Sequence, residues 1–172
     1  MDKVKVFDFP LECHTAYYFA KCKHDEIYQT RKGTGVPYFI HPKNVALIVK
    51  QNGGSIDQIK AALLHDTLED THTSDEELRV CFGEHTASLV RELTNCKYEI
   101  DKIGKEAYMS EKLMKLSSEA LLVKLADILN NISDHPTEAA EVRMLHNVAS
   151  LIQNRKDLTD NTKRLAVMVF GS

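Results

Sequence analysis

Ala61-Ala62-Leu63-Leu64-His65-Asp66-Thr67-Leu68-Glu69-Asp70 sets an apolar run against four ionisable side chains within six residues. A helical spacing of three or four brings residues to one face, so His65 lines up with Glu69 and Asp66 with Asp70. Leu63, Leu64 and Leu68 take the adjoining stripe, and the polar cluster therefore borders a core. Burying a carboxylate is costly unless a metal, a cationic partner or a proton relieves it. A histidine nitrogen beside carboxylates is a ligand set for a divalent ion such as Mn²⁺, Fe²⁺ or Mg²⁺. The His-Asp pair alone is a weak signal, because the chain carries a second one at His24-Asp25. Weight has to come from elsewhere along the chain.

A length of 172 residues predicts one domain over 1–172 with room for one sizeable core. Hydrophobic content of 43% and charged content of 27% are ordinary for a soluble globular protein. No apolar run approaches a membrane span, and the acidic, polar-punctuated N-terminus does not read as a signal peptide, so a cytoplasmic setting is expected. A net charge of -3 and a pI near 6.2 argue against a dedicated nucleic-acid binder, while leaving local basic residues to hold a phosphorylated small molecule. Cys13, Cys22, Cys81 and Cys96 show no Cys-x-x-Cys spacing and read as buried, reduced thiols. Oligomeric state has no signature in the chain.

Periodicity predicts a first helix over Leu11 to Tyr28, with His14 and His24 read as surface or cap histidines. The glycines and prolines from Gln29 to Pro42 mark a loop, with a helix opening at Pro42 and reaching Gln51 before Asn52-Gly53-Gly54. His41 falls where loop becomes helix, a place that suits a ligand and equally a cap. Arg31 and Lys32 fit a solvated pair; beside a carboxylate-bound metal they fit a clamp for phosphate or for the face of a base. Ser55-x-x-Gln58 is a capping-box pattern opening the helix that ends in the focal cluster, and Ser74-x-x-Glu77 opens another, broken at Gly83 and resumed to Thr94.

From Asn95 to Ser117 the pattern is polar and weakly periodic, a loop followed by a shorter helix. Lys97, Lys102, Lys105 and Lys112 read there as a solvated face and a candidate rim for a phosphate-bearing ligand. Ser118 to Ser133 is apolar except for Asp127, with Lys124 and Asn131 three before and four after it on one face. A buried aspartate needs partners, and a hydrogen-bonded network of these three is one solution. Helices from Thr137 to about Gln153 and from about Lys156 to Phe170 complete the chain. With no strand pattern and no repeat, the fold class is all-α.

The ordered set His41-Pro42, Ala61 through Thr71, and Val123-Lys124-Leu125-Ala126-Asp127 with Asn131 resembles the HD-domain hydrolases of the Rel/SpoT type. Within them it looks most like the small stand-alone alarmone hydrolases. The resemblance runs from about residue 24 to 133, with Arg31-Lys32, Pro37-Tyr38 and Phe82-Gly83 in the same order. It implies a compact HD-domain helical bundle in which His41, His65, Asp66 and Asp127 bind one divalent metal, normally Mn²⁺. It implies removal of the 3′-pyrophosphate from (p)ppGpp to give GDP or GTP and pyrophosphate. Glu69 and Asp70 match the acidic pair beside the attacking water, and Arg31, Lys32, Lys124 and Asn131 match nucleotide- or phosphate-contacting positions.

Two other functions fit the same motifs. The metal site can serve another nucleotide, such as the 2′-phosphate of NADPH, (p)ppApp or a deoxynucleotide. Alternatively the chain is a catalytically silent HD module that binds a nucleotide or a partner protein, a reading disfavoured by the intact ligand set and acidic pair.

Overall fold

A computed structural model describes residues 5–134 and 136–171. It is all-α, as expected. After short 3₁₀ turns at Val6–Asp8 and Leu11–Cys13, the helices are α1 (His14–Glu26), α2 (Ile40–Gln51), α3 (Ile56–Leu64), α4 (Thr67–Asp70) and α5 (Asp75–Leu93). They continue as α6 (Lys97–Ile103), α7 (Lys105–Lys115), α8 (Ser118–Ser133), α9 (Glu138–Asn154) and α10 (Asp160–Phe170). The chain divides into two compact units, one running to Thr94 and the other starting at Asn95.

The first unit is built on the hairpin of α2 and α3, with α1 and α5 packed on α3. Val45, Ala46 and Val49 of α2 and Ala61 to Leu64 of α3 are wholly buried. The turn between these helices is tight because Gly54 lies against α2: a Cβ there would sit 2.3 Å from Val49 Cγ1. Ser55 then caps α3 with both halves of the capping box, since Gln58 N donates to Ser55 Oγ at 3.2 Å and Ser55 N donates to Gln58 Oε1 at 2.8 Å. An antiparallel hairpin sets the start of one helix beside the end of the other. His41 and His65 are brought together in this way.

Two differences from the sequence expectation have local causes, and one expected break is present. Helix α2 begins at Ile40, so Pro42 sits inside the first turn, where a missing N–H costs nothing. The run from Ala61 to Asp70 is two helices, α3 and α4, interrupted at His65-Asp66. Both residues nevertheless keep right-handed helical dihedrals, and Asp70 N still donates to Asp66 O at 2.9 Å. The helix predicted after Ser74 does bend at Gly83 (φ 85°, ψ 161°), a conformation that side chains other than glycine rarely adopt.

In the second unit α8 packs against α10 and α7 against α9, with α9 also touching α8 and α10. The apolar face of α8, including Leu121, Val123, Leu125 and Ala126, is wholly buried. Residues 97–103 form a helix where a loop is expected; α6 buries none of its residues, so it carries no periodic signal. Lys97, Lys102 and Lys105 are exposed as expected, whereas Lys112 is buried with Nζ 3.5 Å from the Tyr108 hydroxyl. The four cysteines are free, but only Cys13 is buried, correcting the expectation of four buried thiols. Among the described residues no helix is long and apolar enough to cross a membrane.

Candidate functional site

In the first unit His41 and His65 are 3% and 4% exposed, and their rings meet edge to face with centroids 5.2 Å apart. His65 Nδ1 lies 2.8 Å from the Ala62 carbonyl oxygen. A carbonyl only accepts, so Nδ1 carries the proton, and in the neutral ring Nε2 presents a lone pair. That nitrogen lies 3.1 Å from Asp66 Oδ2, and His41 Nε2 lies 3.7 Å from the same oxygen. The Tyr38 hydroxyl donates to Asp66 Oδ2 at 2.7 Å and holds it in place. A lone-pair nitrogen and a carboxylate oxygen at 3.1 Å are stabilised by a cation or a proton between them. The donor set fits a divalent metal on that ground.

Glu69 and Asp70 follow on α4 and are both exposed. Asp70 Oδ2 accepts from Gln29 Nε2 at 2.8 Å, and Gln29 Oε1 lies 2.6 Å from His24 Nδ1. His24 is fully buried, which rules out the surface alternative of its surface-or-cap reading. Its ring centroid is 5.0 Å from that of Tyr38. Burial pushes its pKa down; the Gln29 hydrogen bond and the charges of Asp66 and Asp70 work against that, and His65 adds to it.

The loop before α2 folds back through a hydrogen bond from Arg31 N to Val36 O and a bridge between Thr30 and Pro37. The Arg31 guanidinium lies 5.8 Å from the Tyr38 ring centroid. Arg31 is thus partly buried on the tyrosine that holds Asp66, while Lys32 is exposed. The two neighbours, read as one pair in the sequence, stand in different environments.

In the second unit Asp127 is buried on α8. Lys124 Nζ donates to its Oδ2 and Asn131 Nδ2 to its Oδ1, each at 2.7 Å. The hydrogen-bonded network weighed from the spacing is therefore present. Each carboxylate oxygen has two lone pairs, so these bonds leave acceptor capacity on both.

The sequence assigns no functional role to Tyr38, Gln29 or His24. For Tyr38 a signal exists, since its place three residues before His41 puts it one turn from a candidate ligand. Gln29 and His24 have no comparable signal, since their link depends on the turn between them.

Buried histidines in the first turn of one helix and just past the end of the next, meeting the aspartate that directly follows the second, define a helical protein of the histidine-aspartate class. The chain belongs to the HD domain family, whose model matches residues 16–155. It is 48% identical over 130 residues to the guanosine-3′,5′-bis(diphosphate) 3′-pyrophosphohydrolase of Aquifex aeolicus, a match covering 70% of this chain and 17% of that protein. It is 41% identical over 119 residues to the guanosine-3′,5′-bis(diphosphate) 3′-pyrophosphohydrolase MESH1 of Xenopus tropicalis, covering 67% of this chain and 65% of that one. The chain thus spans less than two thirds of the length of either relative. A solved structure, described as a metazoan orthologue of SpoT that hydrolyses ppGpp and plays a role in starvation responses, superposes with a TM-score of 0.79. It shares 29% identity, and the match covers 95% of this chain and 96% of that one.

Proposed function

We propose that the protein is a divalent-metal-dependent hydrolase that removes the 3′-pyrophosphate of (p)ppGpp, giving GDP or GTP and pyrophosphate. The observation that carries the reading is His65 Nε2, turned by the Ala62 carbonyl to face Asp66 Oδ2. The relatives named for this reaction support the choice of substrate. A family match running from 16 to 155 supports treating residues 1–172 as one HD hydrolase domain rather than two functional parts. The setting that goes with a nucleotide substrate is the cytoplasm.

His41, His65, Asp66 and Asp127 are the ligands in this proposal; their two nitrogens and two oxygens suit a divalent ion, and Mn²⁺ is the one that the family resemblance implies. When bound, a divalent ion lowers the pKa of a water and neutralises charge developing on phosphorus. Glu69 accepts the proton of the attacking water, and Asp70 orients that water or passes a proton to the departing 3′-oxygen. Arg31, Lys32, Lys124 and Asn131 hold the nucleotide and its phosphates, Arg31 through the guanidinium face it carries above Tyr38.

The test is turnover of ppGpp by metal-stripped protein with and without Mn²⁺, following GDP and pyrophosphate, with Asp66→Asn alongside. Mn²⁺-dependent release of both products, lost in the variant, is the expected result. Release of single phosphate from NADPH with ppGpp untouched would transfer the site to another substrate.

A further inference from the structure

We propose that His24 is a positioning residue that sets the carboxylate of Asp70 through the side chain of Gln29. For what Asp70 does, the proposal rests on the hydrolase reading above; for what His24 does, it rests on the hydrogen bonds alone.

The direction of the chain follows from donor and acceptor chemistry. An ionised carboxylate only accepts, so Gln29 must present its amide nitrogen to Asp70, at 2.8 Å. Its amide oxygen is then the end facing His24, at 2.6 Å, and His24 must donate from Nδ1. The other ring nitrogen is buried and has no hydrogen-bond partner among the described residues. A proton there would place an unsatisfied N–H in the interior, so the ring is the neutral Nδ1–H tautomer.

The backbone holds the amide where it can bridge. Tyr28 adopts a left-handed conformation (φ 52°), which turns the chain at the end of α1 so that Gln29 N donates to His24 O at 3.1 Å. Tyr38 N donates to Gln29 O at 2.9 Å. Gln29 is thus pinned on both sides of its Cα, between the histidine it accepts from and the tyrosine that holds Asp66. Asp70 itself stands exposed on a helix of four residues. Without the bridge its carboxylate is free to change rotamer, and a misaligned water-orienting group slows the chemical step more than it weakens binding.

Two measurements test this. In the first, ¹⁵N-detected histidine spectra of the metal-free protein report the tautomer of His24. A protonated Nδ1 whose signal shifts in Gln29→Leu and in Asp70→Asn is expected. An Nε2–H ring, or a ring indifferent to both substitutions, overturns the relay whatever the activity. In the second, ppGpp turnover is compared for Gln29→Leu, His24→Leu and His24→Asn, each alone and with Asp70→Asn. Gln29 is only half-buried, so its variant keeps a folded comparison even where His24→Leu does not. Losing the bridge lowers kcat by about tenfold with little change in KM. His24→Asn, whose amide nitrogen replaces Nδ1–H, restores most of that loss, and Gln29→Leu adds nothing once Asp70 is Asn. Fully additive losses, or a change in KM alone, overturn the proposal. A wild-type protein that leaves ppGpp intact removes the hydrolase reading instead, and the spectra still decide the relay.

Discussion

Tyr38 and Asp66 are joined by a 2.7 Å hydrogen bond from the hydroxyl to Oδ2. The same ring packs on His24 and His41 and lies under Arg31. One side chain therefore orients a candidate ligand, supports another, and seats a candidate substrate contact.

Tyr38→Phe separates the hydroxyl from the ring. The packing survives, and Asp66 Oδ2 loses the donor that fixes it. Outer partners of metal ligands are commonly worth tenfold or more in affinity, so Mn²⁺ binding should weaken by about tenfold while the far-ultraviolet circular dichroism is unchanged. Calorimetric titration of Mn²⁺ into metal-free protein measures this. Equal affinities for the variant and the wild type would mean that the hydroxyl plays no part in orienting Asp66.

Features written locally in the sequence were legible. The Ser55 capping box needs only four residues, and α8 announces itself because almost its whole length is buried. Asp127, Lys124 and Asn131 were legible for the same reason, since a fixed helical period places all three. The first-unit candidate ligands stand out by residue type, order and the family resemblance, and the hairpin geometry then accounts for how His41 and His65 meet. What escaped was non-local or unpatterned. Helix α6 buries nothing, and the interruption at His65-Asp66 leaves both residues in helical dihedrals. His24 sits among polar neighbours that read as surface, and its link to Gln29 depends on a left-handed turn at Tyr28 that no propensity marks.

The buried His24 ring makes a pH prediction whose sign is fixed. Burial lowers its pKa in the folded protein. The unfolded chain takes up this proton near the ordinary value of about 6.5, and the folded chain only at lower pH. Folded-state stability is therefore lost as pH falls below about 6.5, down to the folded-state pKa, and this residue adds no pH dependence above that window. His24→Asn removes the effect. Urea unfolding of both proteins in chelator should show a stability difference that is flat above about pH 7 and moves against the wild type as the pH is lowered towards 5. A difference constant across the whole range would mean that the folded ring titrates like an ordinary one.

Lys124 and Asp127 form a pair in which both partners are over nine-tenths buried. Removing one partner leaves an uncompensated charge, so Lys124→Met should cost about 3–5 kcal/mol in metal-free protein, measured by urea unfolding. Replacing both, in Lys124→Met with Asp127→Leu, leaves no charge to compensate and should recover much of that loss. Mn²⁺ then distinguishes a purely structural pair from a ligand. If Asp127 binds the metal, the ion supplies the positive charge that Lys124 no longer does, and saturating Mn²⁺ should narrow the deficit of the single variant relative to the wild type. The double variant, lacking the carboxylate, should gain less from Mn²⁺ than either. A single-variant deficit that Mn²⁺ leaves untouched would take Asp127 out of the ligand set and leave it as the centre of the network it forms with Lys124 and Asn131.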